Sequence, residues 1–341
     1  MSMKSKIVNV LKRTGLTLAF PSLIFVVMLV ITLANGIDYY VSANMVRQVA
    51  TDASLTTIIA LAIYLQFKNG RFDFSGGATM ILSAIIAGNI TLQAGGNSVM
   101  FMVLSVAFGI VLSLITASVY IASKVPVIIC TIGITLLYES LTYVLFDAEG
   151  LSVISRAEMV LFGRVPYIFI PLLIVLALFI FFTYFMAEGR RAKLLSGNQK
   201  VAVSIGIREN KNILITYIVC GAILGFGALV YGSRQIINTQ ANLSTSSILF
   251  SYIVPVFIGM FIGTASIDAV GVVVAAIGME FLNYGLDCLG VGAGGYQQII
   301  FGMFMLAFYA FSAQAGNLKK LANKIVEKFS KQRNKETPDV H

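Results

Sequence analysis

Apolar runs of about 20 residues recur along almost the whole of this chain, each long enough as a helix to cross a hydrocarbon layer roughly 30 Å thick. Only 11% of the 341 residues are charged, 58% are hydrophobic, and the mean hydropathy is +0.89. Soluble domains are roughly a quarter charged, so the chain reads as a membrane protein. The stretches between runs are too short to hold a soluble catalytic domain.

Hydropathy windows place about ten spans, near 16–34, 48–67, 74–92, 99–122, 126–146, 166–186, 211–233, 245–263, 267–285 and 296–313. The first follows Lys4, Lys6, Lys12 and Arg13 as a signal peptide would, but its apolar run is too long and no clear small-residue cleavage site follows, so it reads as a retained span. The second is the weakest by composition, because "QVATDASLTTIIALAIYLQF" carries Asp52 and several hydroxyls. With ten spans and a cytoplasmic N-terminus, 20 of the 24 Lys and Arg fall inside, leaving Arg47, Arg156, Arg164 and Arg234 outside. The net charge of +9 is then topology and attraction to anionic membrane lipid, with no nucleic acid required. These positions divide the chain into a cytoplasmic N-terminus (1–15), a transmembrane domain (16–313) and a basic cytoplasmic tail (314–341).

Several chemistries are excluded. The one histidine is His341, at the last position, so no His/Cys metal set exists. Cys130, Cys220 and Cys288 are far apart and predict no structural disulfide. No G-x-x-x-x-G-K-[ST] occurs, so the chain has no phosphate-cradling loop. No catalytic residue stands out, because neither a Ser/Lys pair nor an Asp pair is evident within the membrane.

Three blocks carry a family resemblance. "GRFDFSGGATMILSAIIAGNI" resembles the G-G-I-D-L-S-V-G-S pattern of the inner-membrane permeases of ribose- and xylose-type, binding-protein-dependent ABC sugar importers. The matching positions are Gly70, Asp73, Ser75 and Gly77, while Phe72 and Phe74 replace aliphatics. "LSGNQKVAVSIGIRENKNILITYIVCGAILGFGALVYGSR" and "VGVVVAAIGMEFLNYGLDCLGVGAGGYQQIIFGMFMLAF" agree with two further blocks of that family in order and spacing. The resemblance implies an all-α polytopic membrane protein, type II ABC importer-like, with about ten helices in two inverted five-helix halves. It also implies a bacterial inner-membrane location, both termini cytoplasmic, and partners: a second permease copy or related permease, ABC ATPase subunits, and an extracytoplasmic solute-binding protein. ATP and Mg would belong to the ATPase, leaving no cofactor in this chain. A secondary transporter or channel for a small polar solute is the alternative.

Four sets of residues then become candidates. Within the inside segment 187–211, a short helix between Gly197 and Ile207 would offer Val201, Ile205 and Ile207 as apolar contacts, with Ala202, Ser204 and Gly206 small enough for close approach to an ATPase surface. Gly206 is expected to end that helix in the left-handed conformation. The plainer reading is an ordinary basic loop. The intramembrane acids Asp52, Glu139 and Glu280, with Thr56, Thr135, Asn283 and Gln235, either line a hydrated translocation path or bond between helices, because a bare acid at mid-membrane costs about 2.5–3.5 kcal/mol. A proton relay is a third use of the acids.

Glycines of "GAILG" (221–225) and "GMFIG" (259–263) predict close helix contacts, and Tyr296 an interfacial anchor. Asp73 or Ser75 is expected to cap the following span, with Gly76 and Gly77 allowing close packing. The outer segment 147–165 mixes Arg156 and Glu158 with apolar residues, and reads either as a short surface helix for a docking protein or as a solvated linker. Leu318, Leu321, Ile325 and Phe329 predict an amphipathic tail helix on the membrane surface.

Overall fold

The structure, a computed structural model, describes residues 3–306 other than 265, 293 and 294, together with residue 310. Up to Leu289, twelve α-helices follow in order: α1 (Met3–Ala34), α2 (Ala43–Lys68), α3 (Gly76–Gln93), α4 (Ser98–Ser123), α5 (Val127–Val144), α6 (Phe169–Ile180), α7 (Ala187–Gly197), α8 (Gln199–Ser204), α9 (Glu209–Gly232), α10 (Ser244–Ser251), α11 (Ile253–Gly263) and α12 (Asp268–Cys288). All lie within one compact unit, Met1–Leu289. In the second unit, Gly290–His341, residues 295–306 are helical and Tyr296 is exposed. The predicted tail helix around Leu318 to Phe329 lies outside the described residues.

Among the described residues, eight stretches are long and apolar enough to cross a membrane, or nine when α6, the π-turn Phe181–Phe185 and α7, bent by 68°, count as one. The chain is an all-α, multi-pass membrane protein. Of the expected tenth span, near 296–313, residues 296–306 belong to the helix at 295–306, and residues 307–309 and 311–313 lie outside the described residues.

The span weakest by composition proves to be the centre of the unit. Helix α2 packs against α6, α9, α11 and α12, and 17 of its 26 residues are buried. Its hydroxyls therefore face protein rather than lipid; Thr51 and Ser54 bond back to the carbonyls of Arg47 and Ala50. Helices α4 and α9 pack most closely, and glycine is the reason. A Cβ on Gly221 would strike the carbonyl oxygen of Gly109, and one on Gly225 the backbone of Ser105 and Val106. The "GAILG" face is a helix contact, as expected, and "GMFIG" likewise seats α11 on α12 at Val272.

Two elements depart from expectation. The span near 245–263 is present as one apolar stretch, Ser244–Gly263, but is interrupted at Tyr252: α10 ends at Ser251, where Pro255 would clash with the carbonyl four residues back, and α11 restarts at Ile253. Before α10, residues 233–243 run without helix, pinned by the paired bonds between Leu151 and Ile237 (2.7 and 2.9 Å). The segment 147–165 forms no surface helix between Glu149 and Val160. Leu151, Val153, Met159 and Val160 lack helical spacing and are all buried, so the segment folds down onto the helix ends.

Candidate functional site

The intramembrane acids separate into two sites. At the first, Thr56 of α2 donates to Glu280 Oε1 of α12 at 2.6 Å, and Asn283, one turn further on, donates to Glu280 Oε2 at 2.8 Å. One turn along α2 from Thr56, Asp52 pairs with Arg234, which follows the end of α9. Glu280 is 7% exposed and Thr56 5%, whereas the Asp52 and Arg234 side chains are 28% and 24% exposed. A buried carboxylate with two donors alongside a half-open ion pair gives a polar seam where α2, α9 and α12 meet. Such a seam supplies donors and acceptors of both kinds to a hydroxylated guest.

The second site is built by Glu139 on α5. Its Oε2 accepts from the Leu243 N–H (2.8 Å), and its Oε1 from the Thr245 N–H (2.9 Å) and hydroxyl (2.7 Å). This carboxylate therefore caps the start of α10, placing negative charge against the positive end of the helix dipole. Asn242 and Leu243 approach it in the left-handed region, at φ 56° and 62°. Nearby, Thr142 accepts from the Gln240 N–H at 2.9 Å. Thr135 bonds only the Thr131 carbonyl of its own helix, and Gln235 is exposed. Of the residues expected along a path, Asp52, Thr56, Glu280 and Asn283 thus come together, while Glu139 and Thr135 lie apart from them.

A third feature lies at the Lys68 end of the bundle. Helix α8 covers 199–204, starting at Asn198, whose side chain accepts from the Val201 N–H at 3.2 Å, and Gly206 follows at φ +91°. Val201, Val203 and Ile205 are 56%, 46% and 67% exposed, while Ala202 is buried. The expected short helix and its glycine stop are present, but Ala202 faces inward rather than outward. Ser204 bonds Lys200, and Ile207 is half-buried. Gly197, between α7 and α8, has open space around it. The loop is tied down by Asn212 of α9, which donates to the Glu188 carbonyl of α7 at 2.8 Å.

With this geometry in place, comparison with known proteins is informative. Residues 45–309 match the family described as branched-chain amino acid transport system / permease component. The chain belongs to this family. It is 24% identical over 282 residues to the D-allose transport system permease protein of Escherichia coli K12, covering 80% of this chain and 84% of that one. It is 25% identical to the ribose import permease protein of Bacillus subtilis 168, covering 83% and 88%, and 24% identical to the galactose/methyl galactoside import permease protein of Escherichia coli K12, covering 78% and 85%. No solved structure matches it.

Three of the four positions that carried the resemblance, Gly70, Asp73 and Ser75, occupy the turn between α2 and α3, and Gly77 opens α3. Gly70 takes φ +71°, and a Cβ on Gly77 would collide with the Thr245 carbonyl oxygen, so the turn lies close against α10. The expected capping role is not observed. Ser75 has helical φ and ψ and no cap bond, because its hydroxyl turns back to Asp73 Oδ1 (2.7 Å), which also accepts the Ser75 N–H (2.7 Å). Asp73 thereby closes its own tight turn instead. Burial pushes its carboxyl above the usual carboxylate range, opposed by these two bonds.

The departures Phe72 and Phe74 also gain a reason. They stand edge to face at 4.6 Å, Phe67 meets Phe72 at 4.7 Å and Phe257 of α11 at 5.1 Å, and Phe74 meets Phe250 of α10 at 5.7 Å. The ring chain ties the turn to both halves of the broken helix. Sequence reading missed the Asp52–Arg234 pair and the break at α10; the available signals were Arg234, a lone cation just past an apolar run, and Pro255 inside the span that breaks.

Proposed function

We propose that this chain is the membrane-spanning permease of an ATP-driven importer for a sugar or similar polyhydroxylated solute. The observation that carries the proposal is α8: three exposed aliphatics on a short capped helix within a charged loop, a shape suited to insertion into a groove on another protein. The relatives named as sugar permeases support the cargo class, and the Thr56, Glu280 and Asn283 seam supplies matching hydrogen-bonding groups.

In this reading the occupant of the α8 surface is an ABC ATPase subunit, which holds ATP and Mg, and the Lys68 end of the bundle faces the bacterial cytoplasm with both termini. Its basic character supports that sidedness, because Lys68, Arg190 and Lys193 gather around one cavity there. A second permease, identical or related, and an extracytoplasmic binding protein complete the assembly, with ten helices in two inverted halves. Force on α8 passes through the adjoining α7 to α9 at the Asn212–Glu188 contact. Helix α9, 24 residues and so about 36 Å long, carries it to Arg234 and the polar seam. A secondary transporter would leave the exposed face of α8 without an occupant.

The test uses the permease co-expressed with its ATPase. Val201→Asp combined with Ile205→Asp changes only exposed side chains, so the protein is expected to melt as wild type. Transport is expected to fall at least about tenfold, the loss of roughly 1.4 kcal/mol of docking energy, and co-purified ATPase to fall with it. Unaltered transport and ATPase recovery would show that α8 is an ordinary loop.

A further inference from the structure

A cavity of about 390 Å³, the one ringed by Lys68, Arg190 and Lys193, opens where the end of α2, the π-turn, α7 and the start of α12 converge, and it shares no lining residue with the polar seam, the Glu139 site or α8. Its polar wall holds Lys68, Arg190 and Lys193 against a single carboxylate, Asp268, which Lys68 already engages. Arg190 Nη1 donates to the carbonyls of Tyr184 (3.3 Å) and Phe185 (3.0 Å), which fixes the guanidinium beside the bend. The Lys193 ammonium has no acid within ion-pair distance among the described residues.

Two donors in the wall are left over. Asn69 lines the cavity, is 8% exposed, and its buried Nδ2 has no partner; the buried hydroxyl of Thr183 has none either. Surplus positive charge with unspent N–H and O–H donors calls for an acceptor-rich anion. The remaining wall is apolar, from Leu65, Phe182 and Leu194. Beside it, on the last turn of the spanning helix, the rings of Phe181 and Phe185 stack at 6.1 Å and are 56% and 68% exposed. A soluble anion has no use for that face, but acyl chains do.

We propose that this cavity binds the phosphate headgroup of an anionic phospholipid, with its chains along Phe181 and Phe185. The headgroup phosphate accepts from Lys193, Arg190 and Asn69 at the level where a basic residue meets the membrane interface. The lipid then wedges the 68° bend between α6 and α7.

The full chain in neutral detergent would be titrated with phosphatidylglycerol or phosphatidylcholine, following retained lipid by native mass spectrometry and stability by thermal melting. Phosphatidylglycerol is expected to bind more tightly and raise the melting temperature more. Each cation removed should cost about fivefold in its affinity: Lys193→Gln first, then Arg190→Gln added. Lys193 is exposed and its ammonium unpaired, so Lys193→Gln alone is expected to fold as wild type in lipid-free detergent, and Lys124→Gln to bind as wild type. Equal binding of the two lipids, or a preference untouched by both substitutions, overturns the proposal. Stabilisation by millimolar inorganic phosphate equal to that by lipid overturns it in favour of a soluble anion, and lipid displaced by the ATPase on assembly, in favour of an acidic protein segment.

Discussion

Glu139→Ala is expected to be the most destabilising single substitution in the bundle, by on the order of 3–5 kcal/mol. Three hydrogen bonds vanish together, from the Leu243 N–H, the Thr245 N–H and the Thr245 hydroxyl. Thr245 is fully buried, so water cannot replace the lost acceptor, and each stranded donor costs about 1–3 kcal/mol. The dipole of α10 also loses its counter-charge. Glu139→Gln should recover about half of the loss. Its amide oxygen still serves Thr245, but its NH₂ faces the Leu243 N–H, donor against donor. Melting of the purified variants in detergent orders them as wild type, Gln, Ala; an Ala variant as stable as wild type would mean that Glu139 does not hold the broken helix.

Substitution of Glu280 is expected to separate transport from stability. In Glu280→Ala the Thr56 hydroxyl, 5% exposed, is left without its acceptor, and stability falls by about 1–3 kcal/mol. In Glu280→Gln the amide oxygen still accepts from Thr56, and Asn283 can turn its own amide to present oxygen to the new NH₂, so stability stays within about 1 kcal/mol of wild type. If the seam meets the solute, both variants transport at least about tenfold more slowly, the loss of one charge-assisted hydrogen bond to the cargo. Normal uptake by Glu280→Gln would reduce the seam to packing. Uptake of labelled sugar in vesicles containing the whole assembly, compared with melting of the same preparations, decides it.

Much of this is legible in the chain because lipid leaves few choices. Apolar length predicts a helix wherever water is absent, and the glycines at 221, 225 and 259 mark close contacts because nothing larger fits them. The helix at 199–204 was legible for a local reason too: Asn198 can cap and Gly206 can stop, within about two turns of each other. Asp73 was misjudged because capping and a self-closed turn use the same atoms, and only the backbone angles of Ser75 choose between them. The segment 147–165 was misjudged because its apolar residues are spent on burial, which no local pattern reports.

Hydropathy and charge along the chain are sufficient to determine a helical membrane protein, the spans among the described residues and the ends that gather positive charge, since each depends on residues close in sequence. Pairings across 182, 224 and 104 positions are another matter: Arg234 with Asp52, Glu280 with Thr56, and Leu243 with Glu139. An isolated acid in a span announces only that it needs a partner, because its desolvation cost is the same whichever donor answers it. Packing decides that Glu280 meets Thr56 in a seam and that Glu139 meets a helix end, and so gives two chemically identical side chains different work.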